Sequence, residues 1–298
     1  MAGAAMKLFG WEIRRVPAEA APPPEAAPPP QVEAAPAPPA APDATSFLSP
    51  DLLRREAWAW PTAAEIRRQL LGQDAGRLWL TIPHGHKWLS YFEVYEKVFA
   101  PLRGRAPRIL EIGVDRGGSL DLWTRYFGPG TWIVGVDINP DCARFARPDQ
   151  GVHVRIGSQA DPAFLGAVVR ELGPFDLIID DGSHVTSHQI ASFNALFDAG
   201  LAEGGLYFVE DLETSYWGHR TGQLDTPVTF LDFAKGIVDL MHDPYRHLDY
   251  PAFRIEVAEG TAIDAPRIAR IVDEVRIFDS VVVFTRRTRM PPVVEYLE

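Results

Sequence analysis

The chain predicts a doubly wound α/β domain with a mostly parallel sheet over its C-terminal two-thirds, and three observations carry that prediction. Short apolar runs alternate with helical stretches from Arg108 onward, the runs are apolar throughout, and glycines and acidic residues gather where the runs end. Strands buried on both faces read as continuous apolar runs, and their alternation with helices means βαβ units.

The elements follow in chain order. Residues 1–16 form a short amphipathic segment in which Leu8, Phe9, Trp11 and Ile13 mix with Lys7, Arg14 and Arg15. Within it, residues 6–16 are a candidate docking peptide for a membrane surface or a partner protein, set against a frayed terminus. Residues 17–42 are almost entirely Pro, Ala and Glu, which cannot bury enough apolar surface to offset chain entropy, so 17–45 reads as a disordered linker.

A helical N-terminal subdomain is expected over 46–104. Ser49-Pro50-Asp51 reads as a helix start with a capping hydroxyl, and Thr62-Ala63-Ala64-Glu65 has the capping-box spacing. Lys87–Phe99 places Trp88, Tyr91, Phe92, Tyr95 and Phe99 three and four apart, an amphipathic helix whose aromatic stripe faces a core. Lys87, Trp88 and Tyr91 are also candidates to line a substrate cleft.

The α/β domain spans 105–298. Its strands are expected at RILEIGV, WIVGVDI, VHVRIG, FDLIIDD and GGLYFVED, with helices from Ser119, after Pro140, from Asp161 and after His184. RIFDSVVVFTRR reads as two linked edge strands. A lid insertion is expected at about 212–250, where the helical stretch FLDFAKGIVDLMH follows the aromatic-rich TSYWGHRTGQ. Tyr216, Trp217 and His219 could stack there on a sugar face or pack in a core.

The first strand runs into EIGVDRGGS, so Gly113, Gly118 and Ser119 lie in the turn before a helix, beside Glu111. Glycines there let the backbone approach a ligand, but the spacing is not the G-x-G-x-x-G of a dinucleotide site, which disfavours NAD. Asp137 ends the second strand, where a carboxylate accepts hydrogen bonds from ribose hydroxyls in NAD and S-adenosylmethionine sites alike. Ser158 and Gln159 follow the third strand, where an adenine would lie.

The fourth strand ends in Asp180-Asp181-Gly182-Ser183-His184 and the fifth in Glu210-Asp211. Both ends face the ligand crevice of a doubly wound sheet, and four carboxylates placed so close ask for a cation. Oxygen donors without thiolates favour Mg2+ or Mn2+, with Asp181, Glu210 and Asp211 as ligands. A hydroxyl nucleophile needs its proton removed, a role for His184. Asp180 either caps the following helix or bonds the cofactor, Glu210-Asp211 could instead be a solvated loop pair, and His188 is either a supporting partner of His184 or a structural hydrogen-bonder.

KWLSYFEVYEKVFAPLRG, LEIGVDRGGSLDLWTRYFGPG, VGVDINPDC, IGSQADPAFL, IDDGSHVTSHQIASFNALF, GGLYFVEDLETSYW and FDSVVVF together resemble bacterial class I methyltransferases, similar to the metal-dependent macrolide-sugar O-methyltransferases of antibiotic biosynthesis. The glycine-turn region also resembles cephalosporin hydroxylase-type enzymes. The resemblance covers Gly85 to Arg286. It implies a Rossmann-like, seven-stranded sheet with an antiparallel last strand and S-adenosylmethionine as donor, contacted by Glu111, Gly113, Gly118, Ser119, Asp137, Ser158, Gln159 and Asp180. It further implies Mg2+ on Asp181, Glu210 and Asp211, with His184 as general base.

Composition sets the outer limits. A chain of 298 residues, 46% hydrophobic, can build a substantial core, while a net charge of -11 argues against a nucleic-acid backbone as main partner. The single cysteine, Cys142, rules out an intrachain disulfide, and no apolar run reaches bilayer length, so a cytoplasmic protein without a transmembrane segment is expected. The function expected is O-methylation of a hydroxyl on a sugar, glycan or glycosylated small molecule, with a homo-oligomer admissible. The alternative is a noncatalytic binding or assembly protein that retains the fold.

Overall fold

A computed structural model of the chain describes residues 44–217, 224–247 and 262–292. The expected docking peptide, all but the last two residues of the linker, and His219 lie outside the described residues. Two compact units divide the chain, Met1–Ala59 and Trp60–Glu298. The first holds a 3-10 turn, Ala44–Phe47, and α1 (Pro50–Leu53). Pro50 takes the first helical position as expected, but the Ser49 hydroxyl makes no capping bond.

The second unit opens with α2 (Ala63–Leu71), α3 (Asp74–Trp79) and α4 (Leu89–Phe99). The capping box forms: Thr62 Oγ1 accepts from Glu65 N at 3.3 Å, and Thr62 N donates to the Glu65 carboxylate at 2.8 Å. Tyr91, Phe92, Tyr95 and Phe99 bury their rings, with Tyr95 edge-on to Trp123 at 5.0 Å and stacked on Phe99 at 5.4 Å. These helices share a core with the sheet. α2, α3 and α4 belong to the same unit as the sheet.

The sheet comprises β1 (Arg108–Ile112), β2 (Trp132–Asp137), β3 (Val152–Ile156), β4 (Phe175–Asp180), β5 (Leu201–Val209), β6 (Val272–Phe278) and β7 (Val281–Arg286), in the order β3-β2-β1-β4-β5-β7-β6. The first five are parallel, and β7 runs antiparallel between β5 and β6. The crossovers are α5 (Gly118–Phe127), α6 (Pro162–Leu172) and α7 (Thr186–Gly200). After Pro140 the chain forms a 3-10 helix, Pro140–Phe145, where an α-helix was expected.

The sheet separates two apolar layers. Ile109 joins α4 and α5 on one face, while Leu110 and Ile112 join α6 and α7 on the other, as the two-residue strand period requires. α8 (Phe230–Met241), which carries the expected lid sequence, is capped by Thr229 and packs Phe233 against Phe193 and Phe230 against Phe284. α9 (Arg267–Ile271) leads into β6. Because β2 lies on one side of β1 and β4 on the other, the strand order reverses between β1 and β4, and a crevice opens at their carboxyl ends.

Candidate active site

Strand pairing brings the expected residues to one edge. Asp181 N donates to Ile112 O at 2.9 Å and Glu210 N to Asp180 O at 3.0 Å, which sets the ends of β1, β4 and β5 side by side. Gly113, with φ +97°, follows β1; a Cβ there would collide with the Asp181 carbonyl, so only glycine lets the two turns meet.

Toward β2 and β3 lies a cavity of about 180 Å³ lined by Gly113, Asp137, Ile138, Ser158 and Gln159. Asp137 Oδ2 accepts from Val114 N (2.9 Å) and Asp115 N (3.1 Å), and Oδ1 from Asn139 N (2.8 Å). Burial works to raise its pKa, but these backbone donors outweigh it and hold the carboxyl below its ordinary value. Ile138 is 73% exposed, an uncovered apolar face on the cavity beside a carboxylate. That combination fits a flat base next to vicinal hydroxyls.

Several expected cofactor residues also make contacts within the framework. Gln159 donates to Asp180 at 3.1 Å and accepts from Ser183 N at 2.7 Å, clamping the turn after β4. Asp180 is fully buried among Gln159, Ser192 and Tyr207, and burial pushes its carboxyl up to about 6 against the bonds from Ser192 and Gln159. Glu111 is equally buried, accepting from Ser119 Oγ (3.0 Å) and Trp123 Nε1 (2.9 Å). Burial raises it to about 7 against the Lys87 charge and the Trp123 bond. Gly118 opens α5, where a Cβ would strike the His84 carbonyl. Its bareness thus makes room for the loop before α4. His188 Nδ1 bonds Ser183 Oγ at 2.9 Å, and His188 lines the cavity beside Asp137.

A second cavity, about 240 Å³, extends past Gly113 to Lys87, Asp181 and His184, and a third, about 410 Å³, lies beyond, lined by Lys87, Trp88, His184, Asp211, Glu213 and Trp217. Between them, among the described residues, Asp181, His184 and Asp211 place ligand atoms within 4.8 Å of one another. His184 Nε2 is 3.4 Å from Asp211 Oδ2. Both residues hold left-handed backbone, φ +57° and +56°, a conformation costly for side-chain-bearing residues and concentrated at functional sites.

Glu210, expected as a ligand with Asp181 and Asp211, is not in this cluster of ligand atoms. It is fully buried, its Oε2 accepts from Lys87 Nζ at 2.5 Å, and its Oε1 accepts from Tyr95 OH at 2.7 Å. Lys87 Nζ also donates to Asp181 Oδ2. Burial works against the Lys87 charge, but the carboxylates of Asp181 and Glu210 overcome it and hold its pKa well above the ordinary value. Asp211 Oδ1 instead accepts from Tyr91 OH at 2.7 Å, and the Tyr91 oxygen accepts from Asp211 N at 3.0 Å. The positioning roles of Tyr91 and Tyr95 and the pairing of Lys87 were not read from the sequence. The only signal was their place on or beside the aromatic stripe.

The donor chemistry fits a hard divalent cation: carboxylate oxygens and an imidazole, with no sulfur. Two buried polar atoms near the third cavity have no hydrogen-bond partner among the described residues, His184 Nδ1 and Glu213 Oε2, so residues lining it keep bonding capacity for a polar ligand. Trp217 lines this cavity, and Tyr216, also exposed, is not among its lining residues. Trp88, 46% exposed, donates its Nε1 to Glu213 Oε1 at 2.9 Å.

No family model matches the chain. It is 40% identical over 207 residues to the 8-demethyl-8-alpha-L-rhamnosyl tetracenomycin-C 2'-O-methyltransferase of Streptomyces olivaceus, an alignment covering 64% of this chain and 52% of that enzyme. It is 35% identical over 191 residues to the demethylmacrocin O-methyltransferase of Streptomyces fradiae, covering 61% and 45%. Among solved structures, MycE methyltransferase from the mycinamycin biosynthetic pathway, in complex with Mg, SAH and mycinamycin VI, matches with a TM-score of 0.58 at 27% identity, over 72% of this chain and 53% of that one. The chain spans about half the length of the curated relatives it matches.

Proposed function

We propose that this homologue of the sugar O-methyltransferases, which has the class I methyltransferase fold, transfers a methyl group from S-adenosylmethionine to a hydroxyl of a glycosylated small molecule with the help of Mg2+. The observation that carries the reading is the convergence of Asp181, His184 and Asp211 within 4.8 Å, between a cavity fitted to a nucleoside and a cavity walled by Trp88 and Trp217. The relatives named for sugar O-methylation, and MycE with its Mg and SAH, support it.

In this reading, Asp137 and Ile138 bind the nucleoside and the turn at Gly113 fixes its approach. Asp181 and Asp211 hold the metal ion, with Glu210 as the third carboxylate expected from the sequence. The donor would supply an electrophilic methyl group and the cation would lower the pKa of the accepting hydroxyl. His184 takes the hydroxyl proton at Nδ1, the ring nitrogen without a partner among the described residues, while Nε2 faces Asp211, which orients the imidazole. Trp88 and Trp217 present apolar faces to the sugar, and Glu213 Oε2 accepts from one of its hydroxyls. Holding both reactants in one crevice contributes much of the acceleration. Among the described residues no helix is long and apolar enough to cross a membrane, and we place the activity in the cytoplasm.

Calorimetric titration with S-adenosylhomocysteine, followed by a methyl-transfer assay on rhamnosylated aglycones with and without Mg2+, tests the proposal. Micromolar binding and Mg2+-dependent transfer are expected. Absence of cofactor binding would return the noncatalytic assembly role to first place.

A further inference from the structure

A lysine ammonium sits where two carboxylates would be expected to hold a metal ion. Lys87 Nζ bridges Asp181 Oδ2 and Glu210 Oε2, its side chain only 5% exposed. Metal-oxygen distances for Mg2+ are about 2.1 Å, so an ion bound to these same two oxygens would fall within the volume of the ammonium. Two cations cannot share it, and their repulsion inside a poorly solvated crevice would be severe.

The rest of the geometry suits an exchange of one cation for the other. Lys87 lies outside any helix or strand, between Gly85, which has φ +143°, and the exposed Trp88. Its side chain is a four-carbon tether, and it lines both the cavity beside Gly113 and the cavity beside Trp217, so space is available on either side. Glu210 keeps its bond from Tyr95 through Oε1 while Oε2 is the oxygen given to lysine. Three acidic side chains, Asp181, Glu210 and Asp211, face one ammonium, an acidic excess that still attracts a divalent ion.

We propose that Lys87 is a tethered cation that neutralises Asp181 and Glu210 until a divalent metal ion displaces it, releasing Glu210 to join Asp181 and Asp211 as a ligand. Lysine and metal thus compete for one position, and metal entry turns the Lys87 side chain out toward the cavities. This inference rests on the metal reading above. Displacement also leaves His184 unneeded as a ligand, so its imidazole remains available for the proton.

The test uses the full chain and Mn2+ as probe. Binding is followed by the electron paramagnetic resonance of free Mn2+, and side-chain exposure by amine-reactive labelling with mass spectrometry. In the wild type, labelling of Lys87 should rise at least tenfold on saturation with Mn2+, while the exposed Lys97 and Lys235 stay constant. In Lys87→Met, purified with Mg2+ and then stripped, the Mn2+ dissociation constant should fall at least tenfold. Mn2+ that binds while Lys87 remains protected overturns the displacement and leaves the metal reading standing. Failure of the wild type and the variant alike to bind Mn2+ removes both.

Discussion

Replacing Tyr95 by Phe isolates one bond of the buried charge cluster. The Tyr95 ring is packed by Phe92, Phe99, Trp123 and Phe208, and Phe fills the same space, so neither a cavity nor lost apolar burial enters the difference. What disappears is the hydroxyl that donates to Glu210 Oε1 at 2.7 Å, in a site with no solvent exposure on either partner. A hydrogen bond to a charged group contributes about 1.5–3 kcal/mol, and a carboxylate left short of a donor where water cannot replace it belongs at the upper end. Tyr95→Phe is therefore expected to lose about 2–3 kcal/mol of unfolding free energy in urea with an unchanged slope. Tyr95→Ala adds ring removal, worth about 3–5 kcal/mol more. A Tyr95→Phe loss below about 0.5 kcal/mol would refute the claim that this donor stabilises the buried Glu210 carboxyl group.

Three further perturbations probe separate parts of the site. The Glu111 carboxyl is raised from 4.5 to about 7 by burial, so its contribution to stability is fully present below about pH 4.5 and is lost as pH rises through about 7. At about 1.36 kcal/mol per tenfold the interval is worth at most about 3 kcal/mol. Glu111→Gln should therefore gain on the wild type between pH 5 and pH 8 in urea unfolding, and an equal difference at the two values would sink the argument. Gly118→Ala should gain about 1 kcal/mol of helix propensity yet lose more, about 1–3 kcal/mol, because its Cβ would meet the His84 carbonyl; a net rise in melting temperature would contradict this. His184→Gln should retain S-adenosylhomocysteine binding in calorimetry while turnover falls about 10²–10⁴-fold, and undiminished turnover would remove His184 from the base role.

How far the sequence could be read differs from residue to residue. The sheet was legible because continuous apolar runs and turn residues are local signals: RILEI, FDLIID and GGLYFV form β1, β4 and the end of β5, and RIFDSVVVFTRR forms the β6-β7 hairpin. The convergence of Asp181, His184 and Asp211 was legible too, because strand ends in a doubly wound sheet share one edge. The roles of individual side chains were less so. Gly118 reads as a cofactor glycine and lines the cavity beside Gly113, and it also accommodates a carbonyl from a loop some thirty residues earlier; Asp180 reads as a cofactor residue or a cap, and the fold buries it fully.

By itself, then, the sequence determined the architecture and the edge at which chemistry gathers, since hydrophobic periodicity and turn chemistry act over a few residues at a time. Only the tertiary structure decided how charge is partitioned there. Glu210 and Asp211 are neighbours in the chain, yet successive side chains at a strand end leave in different directions, and the left-handed backbone at Asp211 separates them further. One carboxylate thus meets Lys87 and Tyr95 and the other meets Tyr91 and His184. Lys87 arrives from 94 residues before Asp181, a separation across which no local pattern operates and only packing fixes the partner.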